Sequence, residues 1–255
     1  MNDDRSTAWW HSFYSETMAD MFLVRDSATV DAVCRFLVDK LQLTSDHTVF
    51  DQCCGIGGLS IPLARREIEV IGVDQCQSYI IRATVAGNRE ELPVQYFCRD
   101  AFEFTPPIPC DAAFNWGSSF GNADTDVQNL SMIQRAFEAL LPGGRFILDY
   151  QNIPGVLRGF KPSIIRRHAT DDGDILLLRE CAVSLAAGKL EQVWTYIFPD
   201  GQRVVEPSSL RLYLPDAIAQ MLKTCGFTEI AFFGDIDGSG LSLDSPRCIC
   251  LGTKP

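Results

Sequence analysis

The sequence predicts one α/β domain: a mostly parallel seven-stranded sheet with helices on both faces, a helical segment before it and antiparallel hairpins inserted late. Three observations lead there. Between Thr48 and Tyr150, short apolar runs alternate with helical stretches, the pattern of parallel strands joined by right-handed crossovers. Between Ile164 and Leu214, β-prone runs are separated by turn signals. Before Thr48, apolar residues recur at helical spacing.

In chain order, residues from about Thr7 to Leu41 read as helices, the first part rich in aromatics (Trp9, Trp10, Phe13, Tyr14, Phe22). Strands are expected at Thr48–Asp51, Glu69–Asp74, Val94–Arg99, Ala112–Asn115 and Gly144–Tyr150, with helices such as Leu59–Arg66 and Gln128–Leu140 between them. After Asn152 come the runs Ile164–Thr170, Asp174–Ser184, Lys189–Phe198 and Gln202–Leu214. They are punctuated by Asp172-Gly173, Ala187-Gly188 and Asp200-Gly201. A helix (Pro215–Thr224) and strands at Thr228–Phe233 and Arg247–Gly252 close the chain. Residues 1–255 then form one domain, with 1–46 as an N-terminal helical lid and 153–214 as an inserted cap.

Composition narrows the function classes. With 255 residues, 46% hydrophobic and 22% charged, the chain can bury one substantial core. A net charge of −11 and no basic run longer than Arg65-Arg66 or Arg166-Arg167 argue against a nucleic-acid partner. The ten cysteines show no CxxC pair or Cys/His spacing, so no metal is expected, and buried reduced thiols in a cytoplasmic protein are the natural reading. Met1-Asn-Asp-Asp lacks the apolar core of a signal peptide and no apolar run suits a membrane span. A homodimer is compatible with the sequence.

The most informative segment is Val49-Phe-Asp-Gln-Cys-Cys-Gly-Ile-Gly-Gly-Leu-Ser60. An apolar strand ends at Asp51, a glycine-containing loop follows, and a helix opens at about Leu59. Gly55 and Gly57 allow a sharp turn and close approach of backbone N–H groups to a nucleotide. The next strand ends at Asp74, roughly 20 residues on, where a carboxylate can accept hydrogen bonds from ribose hydroxyls or cap the following helix. A dinucleotide site is the rival reading, but Ser60 stands where G-x-G-x-x-G requires its third glycine.

These residues resemble the class I S-adenosylmethionine-dependent methyltransferases, particularly small bacterial ones with a β-hairpin cap. The resemblance extends from about Trp10 to the C-terminus. Asp51-x-x-Cys-Gly-x-Gly57 resembles the first motif, with Cys53 where a glycine is frequent. Asp74 matches the acidic second motif, Arg99-Asp100-Ala101-Phe102 the third, and Asp111-Ala-Ala-Phe-Asn-Trp-Gly-Ser-Ser-Phe-Gly121 the fourth. Leu140-Leu-Pro-Gly-Gly144 matches the turn before the fifth strand. The resemblance implies a Rossmann-like methyltransferase fold with S-adenosylmethionine as cofactor. It implies cofactor contacts at Asp51, Cys53, Gly55, Gly57, Asp74, Gln75, Asp100, Ala101, Asn115 and Trp116.

On the substrate side, Trp116 either shields the reacting centre or packs under the cap, and Tyr150 and Asn152 lie just past the fifth strand. Tyr14 and His11 are placed to close as a lid. Trp116, Tyr14, Tyr150 and Asn152 are the candidate catalytic side chains. Arg179, Tyr196, Arg211 and Tyr213 can face inward or outward, and His168 reads as a surface strand residue. The expected reaction is methyl transfer to a small molecule: an amine, an amino acid or a natural-product intermediate. Two alternatives stay open, a cyclase that releases methylthioadenosine and a cyclic amino acid, and a binding protein without turnover.

Overall fold

A computed structural model describes residues 8–117 and 119–255. The first seven residues of the expected lid, including the Met1-Asn-Asp-Asp start, and Ser118 lie outside them. Three helices come first: α1 (Trp10–Phe13), α2 (Glu16–Phe22) and α3 (Ser27–Leu41). Ser15 caps α2 by accepting from Met18 N, and Asp26 caps α3 by accepting from Thr29 N. Gln42, in the left-handed region, ends α3.

The central unit then runs β1 (Thr48–Gln52), α4 (Ser60–Ala64), β2 (Glu69–Asp74), α5 (Gln77–Arg89), β3 (Val94–Cys98), β4 (Cys110–Asn115), α6 (Asp126–Ala139) and β5 (Leu140–Tyr150). After α7 (Ile153–Arg158) come four hairpin strands, β6 (Ser163–Thr170), β7 (Gly173–Ser184), β8 (Lys189–Ile197) and β9 (Arg203–Arg211). The chain closes with α8 (Pro215–Cys225), β10 (Thr228–Phe233) and β11 (Cys248–Thr253).

Seven strands form the main sheet in the order β10-β11-β5-β4-β1-β2-β3, with only β11 antiparallel to its neighbours. Chain direction across the sheet reverses between β1 and β4, which opens a crevice at their carboxyl ends. The expected Rossmann-like architecture and the separate antiparallel sheet are both present.

Strand alternation builds a core on each face. Val49, Val70, Ala112, Phe114, Ile147 and Ile249 point toward α3 and α4. Their neighbours Phe50, Ile71, Ala113, Phe146, Leu148 and Cys250 point toward α6 and α8. Gly72 on β2 is fixed by space: a Cβ there would stand 2.7 Å from the Tyr96 ring and 3.0 Å from Cys54 Sγ. At the end of α8, Gly226 takes φ +102° and lets the chain turn against Phe137.

Some boundaries differ from the sequence expectation. No helix separates β3 from β4, where residues 99–109 form turns. The Leu-Leu-Pro-Gly-Gly turn is absorbed into β5: Leu140 pairs with Cys110 and Arg145 with Ala112, so the intervening residues bulge. The first helix after β1 is short, ending at Ala64 rather than Arg66. All ten cysteines are free and six are buried. No described helix is long and apolar enough to cross a membrane.

Phe114 is fully buried at the centre of the sheet. Phe114→Ala is expected to cost about 3–5 kcal/mol in chemical denaturation, against less than about 0.5 kcal/mol for the exposed Val127→Ala.

Candidate active site

A cavity of about 400 Å³ opens at the carboxyl ends of β1 and β4. It extends between α1–α2 and the inner face of the four-stranded sheet. Its floor is the β1–α4 loop. Cys53 has φ +65°, so it occupies a backbone conformation that favours glycine, which accounts for the glycine frequent at that motif position. Gly55 (φ +55°) lines the cavity beside Leu23. Gly57 (φ +78°) lies behind the lining, where a Cβ would meet Tyr96 Oη at 2.7 Å.

Asp74 holds this loop in shape. One carboxylate oxygen accepts from Gly55 N at 3.0 Å and the other from Cys76 N at 2.9 Å. Burial raises its pKa, opposed by the backbone N–H groups of Cys76, Gly55 and Gln75. Asp74 does not cap α5, whose N-cap residue Cys76 makes no side-chain capping hydrogen bond. Loop clamping coexists with exposure to the cavity because a carboxylate has about four acceptor positions. Asp51 accepts from Ser60 Oγ at 2.6 Å, and burial pushes its pKa up to about 7.

Of the residues expected to bind the cofactor, Asp51, Cys53, Gly55, Asp74, Gln75, Asp100, Ala101 and Trp116 line the cavity. Asn115 lies beneath it. Its amide donates to Gln52 Oε1 at 3.2 Å, while its Oδ1 is buried with no partner. Gln75 donates to Trp10 O at 3.0 Å and leaves its own Oε1 buried and unpartnered. Asp100 accepts from Phe102 N at 2.9 Å.

The candidate catalytic residues divide. Tyr14 lines the cavity, its hydroxyl accepting from Asn122 Nδ2 at 3.0 Å, and burial raises its pKa, so the phenol stays protonated. Trp116 also lines it, yet packs against Phe36 and lies under the Arg247 guanidinium at 5.1 Å; the cation on its ring belongs to the protein. Tyr150 and Asn152 are corrections. Tyr150 donates to Arg211 O and packs on Phe120 and Tyr213, while Asn152 donates to the carbonyls of Ser242 and Ser245 at 2.9 Å each. Both side chains are spent on anchoring loops, and neither lines the cavity.

His11 is exposed and His168 sits on β6 away from the cavity. Arg179 faces inward, as does Tyr196 within the aromatic cluster of Phe13 and Trp194. Arg211 and Tyr213 bind Asp126 and so tie the cap to α6.

Sequence reasoning missed several lining residues: Arg25, Asn122, Gln151, Arg166, Gln192, Trp194 and Ser208. It also missed a buried network beneath Gly117. Asp149 accepts from Gly117 N at 2.9 Å and from Arg247 at 2.6 Å; burial raises its pKa while Arg247 and Arg25 oppose that rise. This network fixes the turn after β4.

The methyltransferase domain family matches residues 49–144, the segment that supplies the cavity floor. A 23S rRNA (uracil(1939)-C(5))-methyltransferase, RlmD of Alcanivorax borkumensis, is 38% identical over 55 residues, covering 22% of this chain and 12% of that protein. The chain spans less than half the length of the curated relatives it matches. The CcbJ methyltransferase from Streptomyces caelestis superposes with a TM-score of 0.76 at 16% identity, over 93% of this chain and 96% of that one. The sugar N-methyltransferase KedS8 from Streptoalloteichus sp. superposes with a TM-score of 0.69 at 17% identity, over 89% and 87%. These likenesses show a shared fold over 93% and 89% of this chain.

A folded-state pKa of about 7 for Asp51 makes folding bind a proton, so that contribution to stability is full below the ordinary value of 3.8 and lost as pH rises through 7. Asp51→Asn should therefore gain stability relative to the parent across that window, by roughly 4 kcal/mol, read from urea melts at successive pH values. A pH-independent difference would show that Asp51 is ionised throughout.

Proposed function

Since residues 49–144 match the methyltransferase domain family, we propose that the chain binds S-adenosylmethionine and transfers its methyl group to a small molecule held between α1–α2 and the cap sheet. One observation carries this reading. The cavity is continuous from the cofactor-motif residues Gly55, Asp74 and Asp100 to the cap residues Arg179, Gln192 and Trp194. A pocket roofed by two helices and a sheet suits a compact acceptor, whereas a polynucleotide needs an open, basic track.

The residues present fit the cofactor. Positive φ at Cys53 and Gly55 turns the loop so that the Gly55 backbone faces the cavity without a side chain, and Asp74 keeps acceptor capacity facing the cavity. Asp74 would take the ribose hydroxyls, Asp100 and Ala101 the adenine, and Arg25, against Gly117, the amino-acid carboxylate. When bound, the cofactor supplies an electrophilic methyl carbon on a positively charged sulfur.

The protein's contribution is then alignment. Displacement at carbon requires a nearly collinear approach, and orientation supplies most of the gain. Tyr14 offers a neutral O–H to the incoming acceptor, its oxygen already oriented by Asn122. No histidine lines the cavity, which suits a nitrogen nucleophile that sheds its proton before binding. The aromatic walls Trp9, Trp10, Phe13 and Trp194 exclude water.

The direct test is to incubate protein with S-adenosylmethionine, with and without a pool of small metabolites, and follow the adenosyl products by mass spectrometry. S-Adenosylhomocysteine formed only with the pool is expected. Methylthioadenosine formed without it would replace this reading with intramolecular cyclisation, and RNA-dependent product would replace the small acceptor.

Asp74→Asn should weaken S-adenosylmethionine binding by about tenfold or more in calorimetry, because an amide cannot accept at both positions. Unchanged affinity would remove Asp74 from the ribose site.

A further inference from the structure

The cap wall of the cavity carries positive charge that the protein does not neutralise. Arg179 on β7 and Arg166 on β6 are diagonal neighbours: Arg179 pairs with Ile164 and Arg166 with Leu177. Both therefore point from the same face, the one that also carries Ile175, Leu177 and Trp194. Both line the cavity.

Each guanidinium lies over an aromatic ring. Arg179 stands 5.0 Å from the Trp194 ring, and Arg166, nearer solvent, 5.3 Å from the Phe22 ring. Stacking fixes the planes but leaves the N–H edges free for an oxyanion. Among the described residues, no carboxylate lies within 4 Å of either guanidinium. Glu206, opposite Trp194 on β9, is the acid on that face, and it forms no ion pair with them. Arg179 Nε is buried without a partner, and burial and the neighbouring Arg166 both lower its pKa.

In a chain of net charge −11, two adjacent cations without counter-ions are costly unless something negative arrives. Gln192 and Ser208 stand on the same wall. Ser208 Oγ accepts from Trp194 Nε1 at 2.9 Å and lies 3.3 Å from Gln192 Oε1, which holds Trp194 under the Arg179 plane.

We propose that Arg179, with Arg166 at the mouth, is a binding site for an oxyanion on the methyl acceptor, so that the acceptor is a small carboxylate or phosphate ester carrying its nucleophile at the other end. This rests on the reading of the cavity as an acceptor site. Arg179 anchors the anion by charge-assisted hydrogen bonds, and Arg166 draws it in.

The test uses binding as well as turnover. Protein saturated with S-adenosylhomocysteine is titrated calorimetrically with benzoate, phenyl phosphate and neutral benzamide, chosen because the wall is both aromatic and cationic. Expected is binding of at least one anion and none of benzamide, with a loss of about tenfold or more in Arg179→Gln and none in Arg167→Gln, whose partner is Asp174. Tighter binding of benzoate assigns a carboxylate, and tighter binding of phenyl phosphate a phosphate ester. Failure of both anions to bind, or retention of affinity in Arg179→Gln, overturns the proposal.

The methyl-transfer assay separates the two readings. Anion binding without S-adenosylhomocysteine from any anionic acceptor sinks the methyltransferase reading and keeps the site. Turnover of neutral acceptors by a protein that binds neither anion does the reverse.

Discussion

The carboxylate of Asp74 is the joint on which the site depends. It sits at the end of β2, reaches across to the loop after β1 through Gly55 N, and back to the start of α5 through Cys76 N. Two strand ends and a helix are thereby held in one register. The loop would otherwise be unfavourable at Cys53, since cysteine resists positive φ, whereas Gly55 and Gly57 adopt it without strain. A buried carboxyl with a raised pKa is the cost of that joint, and two backbone donors offset it. Everything above, from Tyr14 to the cap wall, is positioned over a loop that this one side chain keeps rigid.

The same principle recurs at the end of β4. There Asp149 holds Gly117, with Arg247 as counter-ion, and Arg247 in turn covers Trp116. Both strand ends that border the crevice are fixed by a buried acid from a neighbouring strand. Each strand end is thus held in place by a side chain from the strand beside it.

Much of this was legible because the main sheet advertises itself. β1, β2 and β4 are apolar runs that end in polar residues, so Asp51, Asp74 and Asn115 could be placed at strand tips from the sequence alone. Beyond β5 the signals weaken. Tyr150 and Asn152 look like site residues because they follow a strand, but Pro154 opens the short helix α7 there and their side chains turn to loops. On β7, the unbroken run Ile175-Leu-Leu-Leu178 hides which parity faces inward, so the sequence leaves Arg179 ambiguous and offers Arg166 only as half of a basic pair. Asp149 gave no hint either: its partner Arg247 is distant in sequence, and only the pairing of β5 with β11 brings them together.

The α1–α2 segment is held on two of its sides by contacts of very different character. Toward the cap, Phe13 and Phe22 meet Trp194 edge-on, within a cluster that includes Ile175, Leu177 and Tyr196. Toward α5 it is held by Tyr79 Oη donating to Ser15 O, and by Arg82 paired with Glu16 and Asp20 at the surface. Exposed pairs of that kind contribute at most about 1 kcal/mol each and fade with salt, whereas parting the aromatic seam exposes several large rings to water. The weaker seam is the one that yields. Rising ionic strength therefore loosens α2 from α5 while leaving its aromatic contact with the four-stranded sheet intact.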